Sequence, residues 1–213
     1  MNVLVLDLSS KKSGYSLFEG KTLIDNGCWE LFFEEESDWR KRVVYMGKKV
    51  NDYMGDHNVK MVYVEDVPPI QDNSQTVKVL SALQGCILTL CSLKNIDCEI
   101  VGLSWKSKVG IDLTHSSQFK KKCKENKGDK MLHKFKDNVK YYEKKLSVDY
   151  ANHLFDLNLQ WKSNKSKFNE DDKSDSILIG VSKLLTDKKY DLNTIDNIID
   201  FIWEKTNEKR GAD

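Results

Sequence analysis

The chain has 213 residues, of which 39% are hydrophobic, 10% aromatic and 31% charged, a composition that supports one folded domain rather than a disordered chain. No apolar run of about 18 residues and no signal-peptide pattern occur, so we expect no membrane span and a cytoplasmic location. Five scattered cysteines without a CxxC pair argue against a disulfide framework or a zinc site.

The small net charge of +1 hides a strongly basic segment. Residues 106–145 contain thirteen lysines and five acidic residues, which is a local net charge of +8. Such a segment indicates a polyanionic partner, nucleic acid above all. The alternative is a solvated, lysine-rich helical surface without a partner.

The first half of the chain predicts a sheet with two helices. Residues 3–8 are an apolar run that includes an acid near its end, as in a buried strand, and the next segments favour an antiparallel meander. Helix 74–93 is apolar on two faces, which indicates burial between the sheet and another surface, for which a second subunit is one candidate. The other predicted elements are strands at 15–19 and 23–33, a helix at 37–56, a parallel central strand at 61–65 and a fifth strand at 98–102.

The second half predicts helices. The lysine-rich segment favours helices at about 116–126 and 130–146, followed by an irregular stretch over 147–170. An amphipathic helix opens with the acids at 171–175, and a last helix covers about 192–206. The fold class is therefore α/β, with a sheet of mixed strand pairing.

Four carboxylates lie at the ends of predicted strands or at the start of a predicted helix. Asp7 and Glu65 lie at the ends of two strands, where neighbouring side chains of one sheet come within reach of each other. Asp172 and Asp175 are three residues apart, so they share one face of the first turn of a helix. If that helix packs across the sheet, the four carboxylates converge.

Converging carboxylates repel each other unless cations neutralise them. Hard oxygen ligands select Mg²⁺ or Mn²⁺, and two such ions about 3.5–4 Å apart are the usual apparatus for in-line attack at a phosphodiester. Taken singly, an acid that ends a strand or begins a helix is more often a turn or cap residue. Asp171 is the acid to which we assign that structural role.

The ordered set resembles the RNase H-like superfamily. Val3 to Ser9, followed by Gly14-Tyr15-Ser16, resembles its opening motif, Met61 to Glu65 its second motif and Asp172 to Gly180 its last. The long helix after the second acid makes the pattern similar to RuvC-type Holliday junction resolvases, above all to their short phage-encoded branch.

The resemblance implies a ribonuclease H-like mixed five-stranded sheet with helices on both faces. It also implies a homodimeric endonuclease that needs two Mg²⁺ ions per active site, with Mn²⁺ able to substitute. The implied substrate is branched DNA, chiefly four-way junctions and also forks and flaps, nicked in pairs to give 5′-phosphate and 3′-hydroxyl ends in recombination or replication of phage DNA. The implied metal ligands and catalytic residues are Asp7, Glu65, Asp172 and Asp175, and the implied dimer contact is helix 74–93.

The lysines extend this interpretation to DNA binding. We expect a single nuclease domain over 1–213 with a lysine-rich helical insertion at about 106–170. Phosphate contacts carry no sequence information, so these lysines would bind DNA of any sequence. The predicted DNA-binding residues are Lys106 and Lys108 after the fifth strand, and the cluster Lys120, Lys121, Lys122 and Lys124.

One departure from the resemblance bears on specificity. Bacterial relatives place an aromatic wedge shortly after the second acid, whereas Asp66 to Ile70 contain none. Sequence-selective cutting and strict junction specificity are therefore not expected to carry over.

Two other functions are compatible with parts of the sequence. A branched-DNA-binding protein without catalysis would use the basic segment alone, although carboxylates beside bound phosphate repel DNA unless they hold metal. A nucleotide-phosphate enzyme of the actin or sugar-kinase type also begins with a strand that ends in Asp and a Ser/Gly-rich turn. That architecture usually needs two such domains, and 213 residues are few for it.

Overall fold

The computed structural model describes residues 1–31, 38–68, 74–163, 166–190 and 192–208. The chain divides into two compact units. The first, the sheet unit, comprises Met1–Trp105 and Asp172–Leu185, and the second, the helical unit, comprises Lys106–Asp171 and Thr186–Asp213. The insertion expected at about 106–170 covers almost the same residues as the first segment of the helical unit, while the single-domain organisation stays a prediction.

Five strands form the sheet, in the spatial order β3-β2-β1-β4-β5. The first three pair antiparallel, and β4 pairs parallel with both β1 and β5. The predicted meander and the parallel central strand are confirmed. The strands are β1 (Asn2–Asp7), β2 (Lys12–Glu19), β3 (Thr22–Glu30), β4 (Val59–Glu65) and β5 (Asp97–Val101).

Seven helices complete the described part of the chain. They are α1 (Trp39–Asp56), α2 (Ser74–Leu93), α3 (Trp105–Val109), α4 (Ser117–Glu125), α5 (Met131–Phe155), α6 (Asp171–Leu184) and α7 (Leu192–Glu208).

The two faces of the sheet are covered by different helices. Leu4, Leu6 and Leu17 belong to a core that also contains the apolar faces of α1 and α2. Successive side chains of a strand point to opposite faces, so the odd-numbered side chains of β1 and the even-numbered ones of β2 lie on the other face. There Ser16 Oγ donates a hydrogen bond to Ser176 O of α6, at 3.0 Å. The sheet is therefore covered by helices on both faces, as predicted.

Helix α2 buries only one of its two apolar faces. Val79, Leu83 and Ile87 are buried in the core, whereas Gly85 and Leu88 are exposed. By length and composition α2 could cross a membrane, a property that the core helix of a soluble protein also has. The expectation of no membrane span rested on uninterrupted apolar runs and did not identify this helix.

The helical unit has its own core. Phe135 of α5 is buried, with its ring centroid 5.6 Å from that of Phe119 and 4.9 Å from that of Trp203 of α7. Helix α5 continues to Phe155, so the prediction of an irregular stretch from 147 is wrong over nine residues. Buried side chains at Val148 and Ala151 extend its apolar face, which polar neighbours hide in the sequence.

Candidate active site

Asp7 and Glu65 end neighbouring parallel strands. Leu6 of β1 is paired with Val64 of β4, so the two acids follow at the next position of each strand. Tyr63 lies on the face of the sheet that carries α6, because Lys183 Nζ of α6 lies 5.5 Å from its ring centroid. Glu65 is two residues further along β4, so its side chain points to the same face.

Helix α6 lies along β2, and the spacing of the two elements matches. Contact positions recur every two residues on the strand and every four on the helix, which correspond to rises of about 6.6 Å and about 6.0 Å. This near-equality lets one stripe of the helix follow the strand over two turns. The matched pairs are Gly14 with Asp172, Ser16 with Ser176 and Phe18 with Gly180.

Gly14 brings the start of α6 close to Asp7. It is the partner of Asp7 in the β1–β2 ladder. A Cβ at this position would lie 1.9 Å from the carbonyl oxygen of Asp172, so only glycine permits the observed approach. The sequence analysis began this strand at residue 15, after Gly14, and this is wrong, since β2 begins at Lys12.

The four predicted acids form one electrostatic group. Burial raises the pKa of the Asp7 carboxyl well above its ordinary value. The charge of Glu65 raises this pKa further, followed by the charges of Asp175 and Asp172 and a side-chain hydrogen bond with Glu65. The structure thus brings together the two strand ends and the first turn of α6.

Trp105 holds one oxygen of Glu65. Its side chain is fully buried, and its indole Nε1 donates a hydrogen bond to Glu65 Oε1 at 2.6 Å. An indole N–H can only donate, so it favours a charged carboxylate with a fixed orientation. The sequence analysis did not assign this role to Trp105. Its position just beyond β5, the strand next to β4, is the signal that could have indicated it.

Two neighbouring acids at the start of α6 have different lysine partners. Lys12 Nζ lies 2.7 Å from Asp172 Oδ2, and both side chains keep about a quarter of their surface exposed, at 26% and 29%. Asp171 pairs with Lys144 within the helical unit, at 2.5 Å. Asp171 therefore has a structural ion pair, whereas Asp172 belongs to the carboxylate group around Asp7.

The donor chemistry of the four acids fits a hard divalent cation. All are carboxylates, and the half-buried Asp7 lies among three others, an arrangement that is unfavourable without positive charge. In the conformation observed, no three His, Cys, Asp or Glu side chains among the described residues form a ready-made metal cage. Trp105 binds Glu65 and Lys12 binds Asp172, so protein groups occupy these two carboxylates in the conformation observed.

Cys28 carries a thiol near this carboxylate group. It is the partner of Gly14 in the β2–β3 ladder. Burial and then the charge of Asp172 raise the pKa of the Cys28 thiol to about 12. The thiol therefore stays protonated at neutral pH, which leaves the oxygen ligands as the donor set.

The predicted DNA-binding lysines differ in their surroundings within the helical unit. Lys106 is half-buried, and its charge partly offsets the rise that burial causes in the pKa of Glu143. Lys122 Nζ lies 2.9 Å from Asp200 Oδ1, so it joins α4 to α7. The exposed members of the set are Lys108, Lys120, Lys121 and Lys124.

Comparison with known proteins gives a likeness of fold. No family model and no curated protein matches the sequence. Thermus thermophilus RuvC in complex with a Holliday junction substrate is similar with a TM-score of 0.57 and 10% identity, over 85% of this chain and 92% of that chain. Another structure of Thermus thermophilus RuvC gives a TM-score of 0.54 and 12% identity, with the same two coverages.

A eukaryotic structure shares the fold as well. The yeast mitochondrial Holliday junction resolvase has a TM-score of 0.50 and 12% identity, over 95% of this chain and 83% of that chain. The predicted ribonuclease H-like fold is therefore confirmed by its likeness to RuvC and to the yeast resolvase.

Proposed function

We propose that the protein is a metal-dependent, structure-specific DNA endonuclease that resolves Holliday junctions. The observation that carries the proposal is the convergence of Glu65, Asp172 and Asp175 on the half-buried Asp7 carboxyl, on the fold that known resolvases share. A cluster of this kind has no structural benefit, because each added carboxylate raises the energy of its neighbours.

Asp7, Glu65, Asp172 and Asp175 are the proposed ligands of two Mg²⁺ ions, for which Mn²⁺ would substitute. Such ions supply activation of the attacking water and stabilisation of the leaving 3′ oxygen. The chain's own part is to hold four carboxylates in fixed positions. The ends of β1 and β4 fix two of them, the packing of α6 on β2 fixes the other two, and Trp105 orients Glu65.

Exposed lysines of the helical unit are the proposed contacts to DNA phosphates. Lys108, Lys120, Lys121 and Lys124 expose their side chains and suit this role. Lys122 pairs with Asp200, and the charge of Lys106 acts on Glu143 of the same unit, so the contribution of these two lysines to DNA binding is proposed to be smaller.

The decisive experiment measures cleavage of labelled four-way junction, fork and linear duplex, each with Mg²⁺ and with a chelator. We expect paired nicks in the junction that leave 5′-phosphate and 3′-hydroxyl ends and disappear with chelator. Cutting of forks as well would agree with the absence of an aromatic wedge after Glu65; residues 69–73 of that loop lie outside the described residues. Tight junction binding without cutting under any metal would instead favour a branched-DNA-binding protein.

Hydrolysis of ATP is the control for the nucleotide-phosphate alternative. That architecture usually has a second phosphate-binding loop, which the sequence does not show. Turnover of ATP without DNA cleavage would overturn the nuclease proposal. Phage origin and a host cytoplasm remain predictions of the sequence resemblance.

A homodimer through α2 is part of the proposal. The exposed face of α2 carries Leu88 and the small residues Ser81 and Gly85. The exposed Leu93 ends the helix. A charge there should separate the protomers, so we expect Leu88→Lys to convert a dimer to a monomer in sedimentation analysis. Val44→Lys, an equally drastic change at an exposed apolar residue of α1, is the control that should stay dimeric. A monomeric wild type would contradict this interface.

A further inference from the structure

We propose that Lys12 is a built-in counter-ion of the four carboxylates. Its ammonium group binds Asp172 in the metal-free protein, and a divalent cation displaces it from that carboxylate. This inference rests on the proposed metal-dependent function and concerns the control of that same site. It assigns a positioning role to Lys12, which acts through Asp172.

The geometry places the ammonium group directly on one of the proposed ligands. Lys12 Nζ is 2.7 Å from Asp172 Oδ2, the distance of a charge-assisted hydrogen bond. Lys12 is the first residue of β2, two residues before Gly14, whose backbone meets the Asp172 carbonyl. Strand and helix thus bring the lysine and the acid together.

The second observation is that the acids do not form a complete metal-binding site in the conformation observed. Asp172 acts electrostatically on Asp7, yet the described residues contain no three acid, histidine or cysteine side chains close enough to enclose an ion. With one Asp172 oxygen bound to Lys12, this carboxylate cannot give both oxygens to a cation. Breaking the ion pair is therefore part of the cost of metal binding.

The charges at the site predict that loss of Lys12 strengthens metal binding. Both side chains are partly exposed, so their pair is a modest one and can be exchanged. A divalent cation has a larger attraction for the four acids than one ammonium group has. Removal of Lys12 takes away both a competitor for Asp172 and a positive charge that repels the incoming ion.

The test is Lys12→Met, with Mg²⁺ and Mn²⁺ binding to the protein without DNA measured by calorimetry. We expect the dissociation constant of the ion to fall by about threefold to tenfold, the equivalent of a partly exposed ion pair. The melting temperature in chelator should fall at the same time, and the rise in melting temperature on adding metal should become larger than in the wild type.

Lys11→Met is the matched control, because Lys11 is the exposed neighbour with the same charge. It should leave the dissociation constant within about twofold of the wild-type value, since solvent screens an exposed charge. An equal gain in both variants would show only a general effect of net charge and would overturn the exchange proposal. Unchanged or weaker binding in Lys12→Met, with normal binding in the wild type, would also overturn it. If the wild type and both variants bind neither ion, the metal site itself fails and this inference fails with it.

Discussion

The sheet unit and the helical unit use charge in opposite ways. In the sheet unit three acids are concentrated around one half-buried carboxyl, that of Asp7. In the helical unit the lysines are spread over exposed helix surfaces, and Lys122 and Lys144 pair with acids. Like charges brought together at a buried point cost free energy and so indicate a function, whereas like charges spread in water cost little.

The charges of the two units differ in how well they tolerate substitution. A substitution in the acid group changes both chemistry and stability, because burial amplifies each interaction. A substitution of an exposed lysine should change only the affinity for a polyanion.

Asp7→Asn should abolish cleavage of a four-way junction, with a loss of about a thousandfold or more, the size expected when a group that stabilises developing charge is removed. Binding of the junction should persist or tighten, since the substitution removes a negative charge. Gel cleavage and binding assays measure both. Asp56→Asn, at an exposed acid of α1, should behave as the wild type. Cutting by Asp7→Asn within tenfold of the wild-type rate would remove Asp7 from the site.

The same variant should be more stable than the wild type in the presence of chelator. The pKa of Asp7 is raised in the folded protein, so its ionised form destabilises the fold at every pH above the pKa of the unfolded chain. Asparagine removes this charge, and we expect the melting temperature at pH 7 to rise by about 2–4 °C. A lower melting temperature would mean that the Asp7 carboxylate stabilises the fold.

Gly14→Ala should damage the site through the backbone. The new Cβ would lie 1.9 Å from Asp172 O, so α6 must move and carry its two acids with it. We expect a loss of stability of about 2–3 kcal/mol and a loss of cleavage of about a hundredfold from misplaced groups. Denaturant unfolding and cleavage rates measure these effects. Gly55→Ala in α1 meets nothing within 4 Å and should be neutral or slightly stabilising.

Trp105→Phe should raise the Mg²⁺ concentration that cleavage requires. It keeps an aromatic ring in the buried site and removes the N–H that holds Glu65 Oε1. Loss of such an orienting hydrogen bond typically costs about tenfold to a hundredfold in metal affinity or activity. The readout is the Mg²⁺ concentration for half-maximal cleavage, which should rise, whereas Trp161→Phe in the helical unit should leave it unchanged. A lower melting temperature with an unchanged Mg²⁺ requirement would assign Trp105 to packing alone.

Replacing Lys120, Lys121 and Lys124 together by Gln should have the smallest effect on the chemistry. We expect weaker junction binding with an unchanged cleavage rate at saturating protein. The slope of log affinity against log salt should become shallower by up to about 0.9 for each DNA phosphate that a lysine no longer neutralises. Lys48, Lys60 and Lys94, exposed in the sheet unit, are the matched control triple. An equal fall in affinity in both triples would show that net charge alone governs binding.

Most of the secondary structure can be predicted from local sequence patterns. Alternating and helical periodicities predicted all five strands, the position of β4 as a parallel central strand and the limits of α2 at 74 and 93. The end of α5 was missed because polar residues interrupt its apolar face after residue 146. Local patterns succeed where one face of an element is consistently buried, and fail where burial alternates with exposed polar positions.

The positions of Asp7, Glu65, Asp172 and Asp175 at strand ends and at a helix start follow from local sequence patterns, because strand ends and a helix start are local features. Only the tertiary structure decided that α6 follows β2 through Gly14, and that Lys12 and Trp105 each hold one of those acids. These contacts join residues 40 to 160 positions apart in the chain. No periodicity encodes such a pairing, since it arises from the packing of whole elements and from the charges that this packing brings together.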